Sequence, residues 1–241
     1  MRLVMIGTSH GVPERHRRCS STLIEINGQY YIVDMGTQTV EDLRRRGIAV
    51  EDVRAVLCTH PHGDHTNGLI SFVDLANWYF KKAEPRILLP NRELIDAMTA
   101  WLAANQSGTP IREGIRFSVL EAGVVYEDEN VTFRAIPTQH CKNSFAFLCE
   151  AEGKKILFTG DLRHPSVDFP AAAFEEEIDL ILCELAHFSP DDCIPVFDRT
   201  KAKKILHTHV SPRWDEELAR QIKTPHPYAY GMVMDGQEIL L

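Results

Sequence analysis

Short apolar runs separated by polar turns dominate the chain. Leu3 to Ile6, Ser21 to Ile26 and Tyr30 to Val33 read as strands, and Asn27-Gly28 between the last two is a hairpin signal. Helical spacing marks Val40 to Arg46, Ile70 to Phe80 and Asn91 to Ala104, the last with Leu94, Ile95, Met98 and Leu102 in phase. Arg54 to Cys58 reads as a buried strand and Ile87 to Leu89 as a short one. Strand patterns return from Ile115 to Val125. They continue through Val131 to Ile136, Ser144 to Cys149, Lys155 to Thr159 and Leu180 to Cys183. Ile205 to His207 is a further short strand, Trp214 to Ile222 a helix and Gly236 to Leu241 a last strand. Two halves emerge, each with strands followed by helix-containing connections, and no low-complexity linker or short-period repeat divides them. The pattern predicts one domain over residues 1–241. Its class is α/β, with two mixed β-sheets and helices on the outer faces in a four-layer αββα sandwich.

The densest chemistry lies in Thr59-His60-Pro61-His62-Gly63-Asp64-His65-Thr66. Three imidazoles and a carboxylate fall within six residues, just after a strand, beside Pro and Gly. These are the donors that hold zinc and similar divalent ions. The lack of a paired C-x-x-C argues against a closed structural zinc site. Three later segments also place His or Asp just after an apolar strand: Ile136 to His140, Ile156 to Asp161, and Ile205 to His209. Rigid sheets present site residues at strand ends, so these loops are expected to converge on the first cluster. Cys141, beside His140, is a weaker candidate donor.

Bulk properties narrow the partners. The 241 residues are 44% hydrophobic and 25% charged, enough apolar material for a sizeable core. A formal net charge of −8 argues against broad nonspecific nucleic-acid binding, though not against a local basic pocket. The six cysteines are scattered and read as free thiols in a reducing compartment. The apolar start of the chain is too short for a signal peptide, and no run reaches the roughly 18 residues of a membrane span. A cytoplasmic protein without membrane contact is expected.

The order His60-x-His62-x-Asp64-His65, then His140, Asp161 and His209, resembles the five-motif pattern of the metallo-β-lactamase-fold hydrolases. Asp34, in Val33-Asp34-Met35-Gly36, matches the first motif, whose Asp buttresses the metal loop in that family. The resemblance implies two divalent ions, zinc first, with manganese or iron as alternatives. His60, His62 and His140 would hold one, Asp64, His65 and His209 the other, and Asp161 would bridge. His209 is preferred to His207 because Thr208-His209-Val210-Ser211-Pro212-Arg213 is similar to the family's T-H-F-S-x-R form, with His207 on the sheet's other face. Such a site implies hydrolysis by a hydroxide shared between the ions.

Within that superfamily the chain looks most like ribonuclease Z and related phosphodiesterases. Ile6-Gly7-Thr8-Ser9-His10-Gly11-Val12-Pro13 resembles their glycine-rich first loop, and Pro13 to Arg18 their P-x-K-x-R-N segment. Arg15, Arg17 and Arg18, joined by Arg213, are candidate substrate contacts, since guanidinium forks match phosphate oxygens. Cys183-Glu184-Leu185-Ala186-His187 departs from the family's His-Glu-Ala-Thr: Glu184 matches, Cys183 replaces the His, and His187 is the candidate proton donor. The stretch from Asn105 to Asn130 lacks the basic, glycine-rich character of a tRNA-gripping arm. The expectation is a phosphodiesterase acting on a small-molecule phosphodiester or nucleotide rather than folded tRNA, with a homodimer left open. The rivals are a tRNA 3′-end endonuclease, a carboxylic ester, thioester or lactone hydrolase, and a noncatalytic metal-binding module.

Overall fold

Leu3 and Met5 leave the first strand on one side, Val4 and Ile6 on the other, and all four are buried. Strands apolar on both faces must be covered on both faces, which dictates layers. The structure, a computed structural model describing residues 1–106 and 110–241, is built that way. Strands β1 (Arg2–Gly7), β2 (Ser21–Ile26), β3 (Gln29–Val33), β4 (Val53–Leu57), β5 (Arg86–Leu89) and β6 (Arg116–Val119) form the first sheet. The second contains β7 (Gly123–Glu127), β8 (Thr132–Pro137), β9 (Phe145–Ala151), β10 (Lys154–Phe158), β11 (Leu180–Leu185), β12 (Lys204–Val210) and β13 (Ala229–Met232). The last strand, β14 (Glu238–Leu240), crosses back to the first sheet. The orders are β14-β1-β2-β3-β4-β5-β6 and β13-β12-β11-β10-β9-β8-β7.

Three apolar layers follow from the alternation. Leu3, Ile24, Tyr31, Phe133, Phe147 and Leu180 fill the space between the sheets. Val4, Leu23, Ile32 and Val56 face helices α1 (Thr39–Arg45), α3 (Leu69–Trp78) and α4 (Arg92–Ala104); the one-turn α2 (Gly63–Thr66) precedes α3. Leu148, Ile181 and Ile205 face α5 (Pro165–Asp168), α6 (Ala172–Glu175), α7 (Pro190–Phe197) and α8 (Asp215–Lys223). The αββα sandwich expected from the sequence is therefore present. α4 begins at Asn91, whose side chain accepts the Leu94 N–H at 2.8 Å.

Several elements lay outside the sequence reading. α7 was masked by Pro190 and Pro195, yet Pro190 sits in the first turn and a Ser189–Asp192 capping box starts the helix. β13 and the short helices α5 and α6 were hidden by polar or proline-rich composition.

Topology decides where a site can form. β3 to β6 run parallel, as do β10 to β13, while β8 is related to β10 through two antiparallel pairings. Their carboxyl ends thus lie along one edge of each sheet, the usual place for function in such sheets. The Phe145 N–H donates to the Thr59 carbonyl at 2.9 Å and ties the two edges together there. Among the described residues, no helix is long and apolar enough to cross a membrane.

Candidate metal centre

Asp34, immediately after β3, is buried in a left-handed conformation with φ 59°. That strained backbone lets one carboxylate reach across the loop after β4. Its Oδ1 accepts the Thr59 N–H at 2.7 Å, and its Oδ2 accepts from His65 Nδ1 at 2.8 Å. Gly36 permits the next close approach, since a Cβ there would collide with the Asp64 carbonyl. A carboxylate on Nδ1 leaves the other ring nitrogen of His65 for the cluster.

The loop itself carries His60 to Thr66 and closes into α2. His60 is fully buried, and its Nε2 lies 3.1 Å from His62 Nδ1. His62 Nδ1 is in turn 3.2 Å from Nε2 of His140, on the loop after β8. Those three imidazoles form one donor group, and Asp64, His65 and His209 form a second. Asp161, after β10, stands between the groups. Its Oδ2 is 3.6 Å from both His60 Nε2 and His140 Nε2 and 3.4 Å from His209 Nε2, and its Oδ1 is 3.4 Å from His65 Nε2.

Electrostatics mark the cluster as a place for cations. Burial favours a protonated Asp161, but the imidazoles of His209, His65 and His60 pull its pKa well below the ordinary range. Burial likewise opposes charge on His65, yet Asp161 and Asp34 raise its pKa well above normal. Burial and the neighbouring His65 ring push His60 strongly down. Two buried atoms, His65 Nε2 and Asp161 Oδ1, have no hydrogen-bond partner. Buried polar atoms are rarely left so. Imidazole nitrogens and carboxylate oxygens converging around orphaned atoms fit divalent ions of the zinc type.

His209 and His207 are separated by backbone geometry rather than by simple alternation, which would put residues 207 and 209 on one face. A register shift against β11 between Glu184 and Leu185, with His209 at φ 52°, breaks the alternation. His209 turns to the cluster, its Nδ1 held by the Ser9 carbonyl and Ser20 Oγ, both at 2.9 Å. His207 stays in the outer layer, with Nε2 2.7 Å from the Tyr230 hydroxyl.

The loop after β11 supplies the rim. Glu184 is buried and receives N–H donors from Leu162, Ala186 and His187. His187 Nδ1 donates to Glu184 Oε1 at 2.8 Å, and that bond raises the His187 pKa. The His187 and His140 rings are 4.6 Å apart, and His187 is near enough to His140 and Asp161 to extend the donor set. Cys183, in the place of the expected histidine, is fully buried in the outer layer and cannot face the site. Cys141 Sγ points to the Lys142 carbonyl.

The arginines divide. Arg213 stacks on Trp214 at 4.8 Å and donates to the Ala186 carbonyl beside His187. Arg18 is spent on structure, paired with Asp42 and 3.4 Å from Asp235. Arg17 is buried and Arg15 exposed, and both line a separate cavity. The sequence reading passed over three residues that organise the centre. Thr59 bridges Asp34 and His60, Asp235 accepts the Thr8 and Arg18 N–H groups, and Asp168 accepts those of Gln139, Arg163 and His164. Only Thr59, beside the histidine motif, left a signal in the sequence.

The family model described as Anti-Pycsar protein Apyc1 matches residues 1–223. The chain belongs to that family. A relative named ribonuclease Z, from Pseudomonas putida strain W619, is 33% identical over 150 residues, covering 61% of this chain and 46% of the relative. The chain therefore spans about half the length of the curated relatives it matches. The human short-form tRNase Z superposes with a TM-score of 0.77 at 19% identity, over 100% of this chain and 99% of the other. A diphosphatase from the PhnP family gives 0.73 at 18% identity, over 100% and 97%. These structural likenesses establish the metallo-β-lactamase fold for this member of the family.

Proposed function

We propose that this protein is a hydrolase of small or cyclic phosphodiesters that works with two divalent metal ions, zinc first among the candidates. The observation that carries the reading is the donor cage around the buried Asp161, with its two unpartnered buried atoms, beside the Glu184–His187 pair. His60, His62 and His140 would hold one ion and Asp64, His65 and His209 the other, with Asp161 between. When bound, such ions supply activated water and neutralise charge on the attacked group.

The chain's own residues do the rest. Asp34 and the Ser9 carbonyl fix the His65 and His209 rings, so the donors are oriented before any ion arrives. Glu184 keeps a proton on His187, which stands at the rim as general acid for the leaving oxygen. Arg213, bonded to the Ala186 carbonyl beside His187, would supply a cation for a phosphate there.

A small substrate is favoured over folded tRNA on two counts. The protein carries a net charge of −8. The described residues between 105 and 130 follow α4 and supply β6 and β7, the edge strands of the two sheets, rather than a projecting arm. The likeness to the human short-form tRNase Z, and to relatives named ribonuclease Z, supports the tRNA reading instead.

The deciding experiment loads purified protein with zinc or manganese. It then compares bis(p-nitrophenyl) phosphate, 3′,5′-cyclic nucleotides, a precursor tRNA, a lactone and a thioester. Turnover of the phosphodiesters with little on the tRNA supports the proposal. Preferential cleavage of the tRNA, or of the lactone or thioester, rejects it.

A further inference from the structure

A second cavity, of ≈ 420 Å³, opens beside the carboxyl end of β13, and none of its lining residues belongs to the donor cage. Its size falls among small-molecule sites, roughly 300–1,000 Å³. One wall is the turn from Glu14 to Arg17, closed by the Glu14 N–H on the Arg17 carbonyl at 2.8 Å. The other walls are α8, through Leu218 and Ile222, and the methionines Met232 and Met234.

The informative residue is Arg17. It is 7% exposed, and its Nη1 is buried without a hydrogen-bond partner. Among the described residues no carboxylate lies within ion-pair distance of it, although Asp42 and Asp235 hold the adjacent Arg18. A buried guanidinium without a counter-charge is costly, and proteins avoid it unless something else supplies the anion. Arg15 at the same rim adds an exposed positive group, and His16 an exposed imidazole. The two acids lining the cavity are Glu14, already 3.1 Å from His10, and Asp215 at the start of α8.

We propose that this cavity is a nucleoside monophosphate site, separate from the hydrolytic centre. The chemistry matches in three parts. The unpartnered fork of Arg17 suits phosphate oxygens. The carboxylates of Glu14 and Asp215 accept hydrogen bonds from sugar hydroxyls. Met232, Met234 and Ile222 offer polarizable and apolar surface to the face of a base. The inference stands on the cavity alone and does not require the hydrolytic reading to hold.

The test is calorimetric titration of the metal-loaded full chain with adenosine monophosphate, adenosine and inorganic phosphate in separate arms. Adenosine monophosphate should bind at least about tenfold tighter than either part, since the site reads both. Arg17→Gln and Ile222→Glu should each weaken it by a similar factor. Ile222 is 40% exposed, so Ile222→Glu alters the cavity without disturbing the core, and it decides the matter if Arg17→Gln does not fold. Hydrolysis of bis(p-nitrophenyl) phosphate by Ile222→Glu should equal that of the unaltered protein. Three results would each overturn the proposal: no binding, phosphate alone binding as well as the nucleotide, or nucleotide affinity unmoved in Ile222→Glu but lost in Asp64→Ala. A protein silent toward every phosphodiester would count against the hydrolytic reading while leaving these binding arms readable.

Discussion

Asp34 Oδ2 lies 2.8 Å from His65 Nδ1, and the same carboxylate holds the Thr59 N–H at 2.7 Å, so one side chain sets both the tautomer of a donor and the path of the loop that carries it. Removing it frees the His65 ring to turn. Asp34→Ala should lower metal affinity by about 10–100-fold, the usual range for a residue that orients a ligand. Competition against a chromophoric chelator measures this directly. Undiminished affinity would mean that the ring is held by packing alone.

Asp64 is partly buried, and its carboxylate sits 3.3 Å from His65 Nε2. Asp64→Ala should cut phosphodiester turnover by at least about 100-fold, roughly 2.7 kcal/mol of transition-state stabilisation, while thermal unfolding moves little. Metal content by mass spectrometry should fall by one equivalent. Retention of both metal and activity would refute its place in the donor set.

His187 can be tested by leaving group. If it protonates the departing oxygen, His187→Ala should slow a substrate with an alkoxide leaving group by about 10²–10⁴-fold. A p-nitrophenolate, which leaves without help, should be slowed far less. Equal losses on both substrates, together with a lost metal equivalent, would instead make His187 a ligand beside His140 and Asp161.

His209 and His207 should part cleanly. His209→Ala should abolish activity and weaken metal binding. His207→Ala should retain activity and lose about 1–3 kcal/mol of stability, because the Tyr230 hydroxyl loses its buried partner. Denaturant unfolding and turnover on the same two variants settle the pair, and the opposite pattern would exchange their roles.

Acid stability has a predicted contributor far from the centre. Glu176 bonds Lys155 and Arg134, and those bonds hold its pKa below the ordinary 4.5. A depressed folded pKa stabilises above the unfolded value, and that stabilisation is lost as pH falls from about 4.5 through the lowered folded value. Glu176→Gln should therefore be less stable than the unaltered protein near pH 7, with the gap closing in acid. A gap that does not change with pH would assign the effect to packing.

The donors were legible because strand ends repeat a simple signature: an apolar run, then His or Asp, as in Phe158 to Asp161. The layers were legible from two-faced apolar strands. What sequence could not show was conformational. His209 does turn toward the donor cluster, whereas period-two alternation would have put it on the same face as His207. A bulge and a positive φ, invisible in residue types, turn it the other way. The arginines were grouped by adjacency in sequence, yet acids remote in the chain, Asp42 and Asp235, take Arg18 out of the group. α7 has no clear periodic signal because Pro190 and Pro195 interrupt it, although Pro190 occupies a helix's first turn.

The cage draws His60, His62, Asp64 and His65 from one sheet and His140, Asp161 and His209 from the other. Neither half of the polypeptide owns a complete chelate. Tight metal binding by such a cage would then report that the two sheets have docked in register. Metal supply during synthesis would consequently act as a brace across the seam, favouring the closed sandwich over a chain whose halves have formed but not yet met.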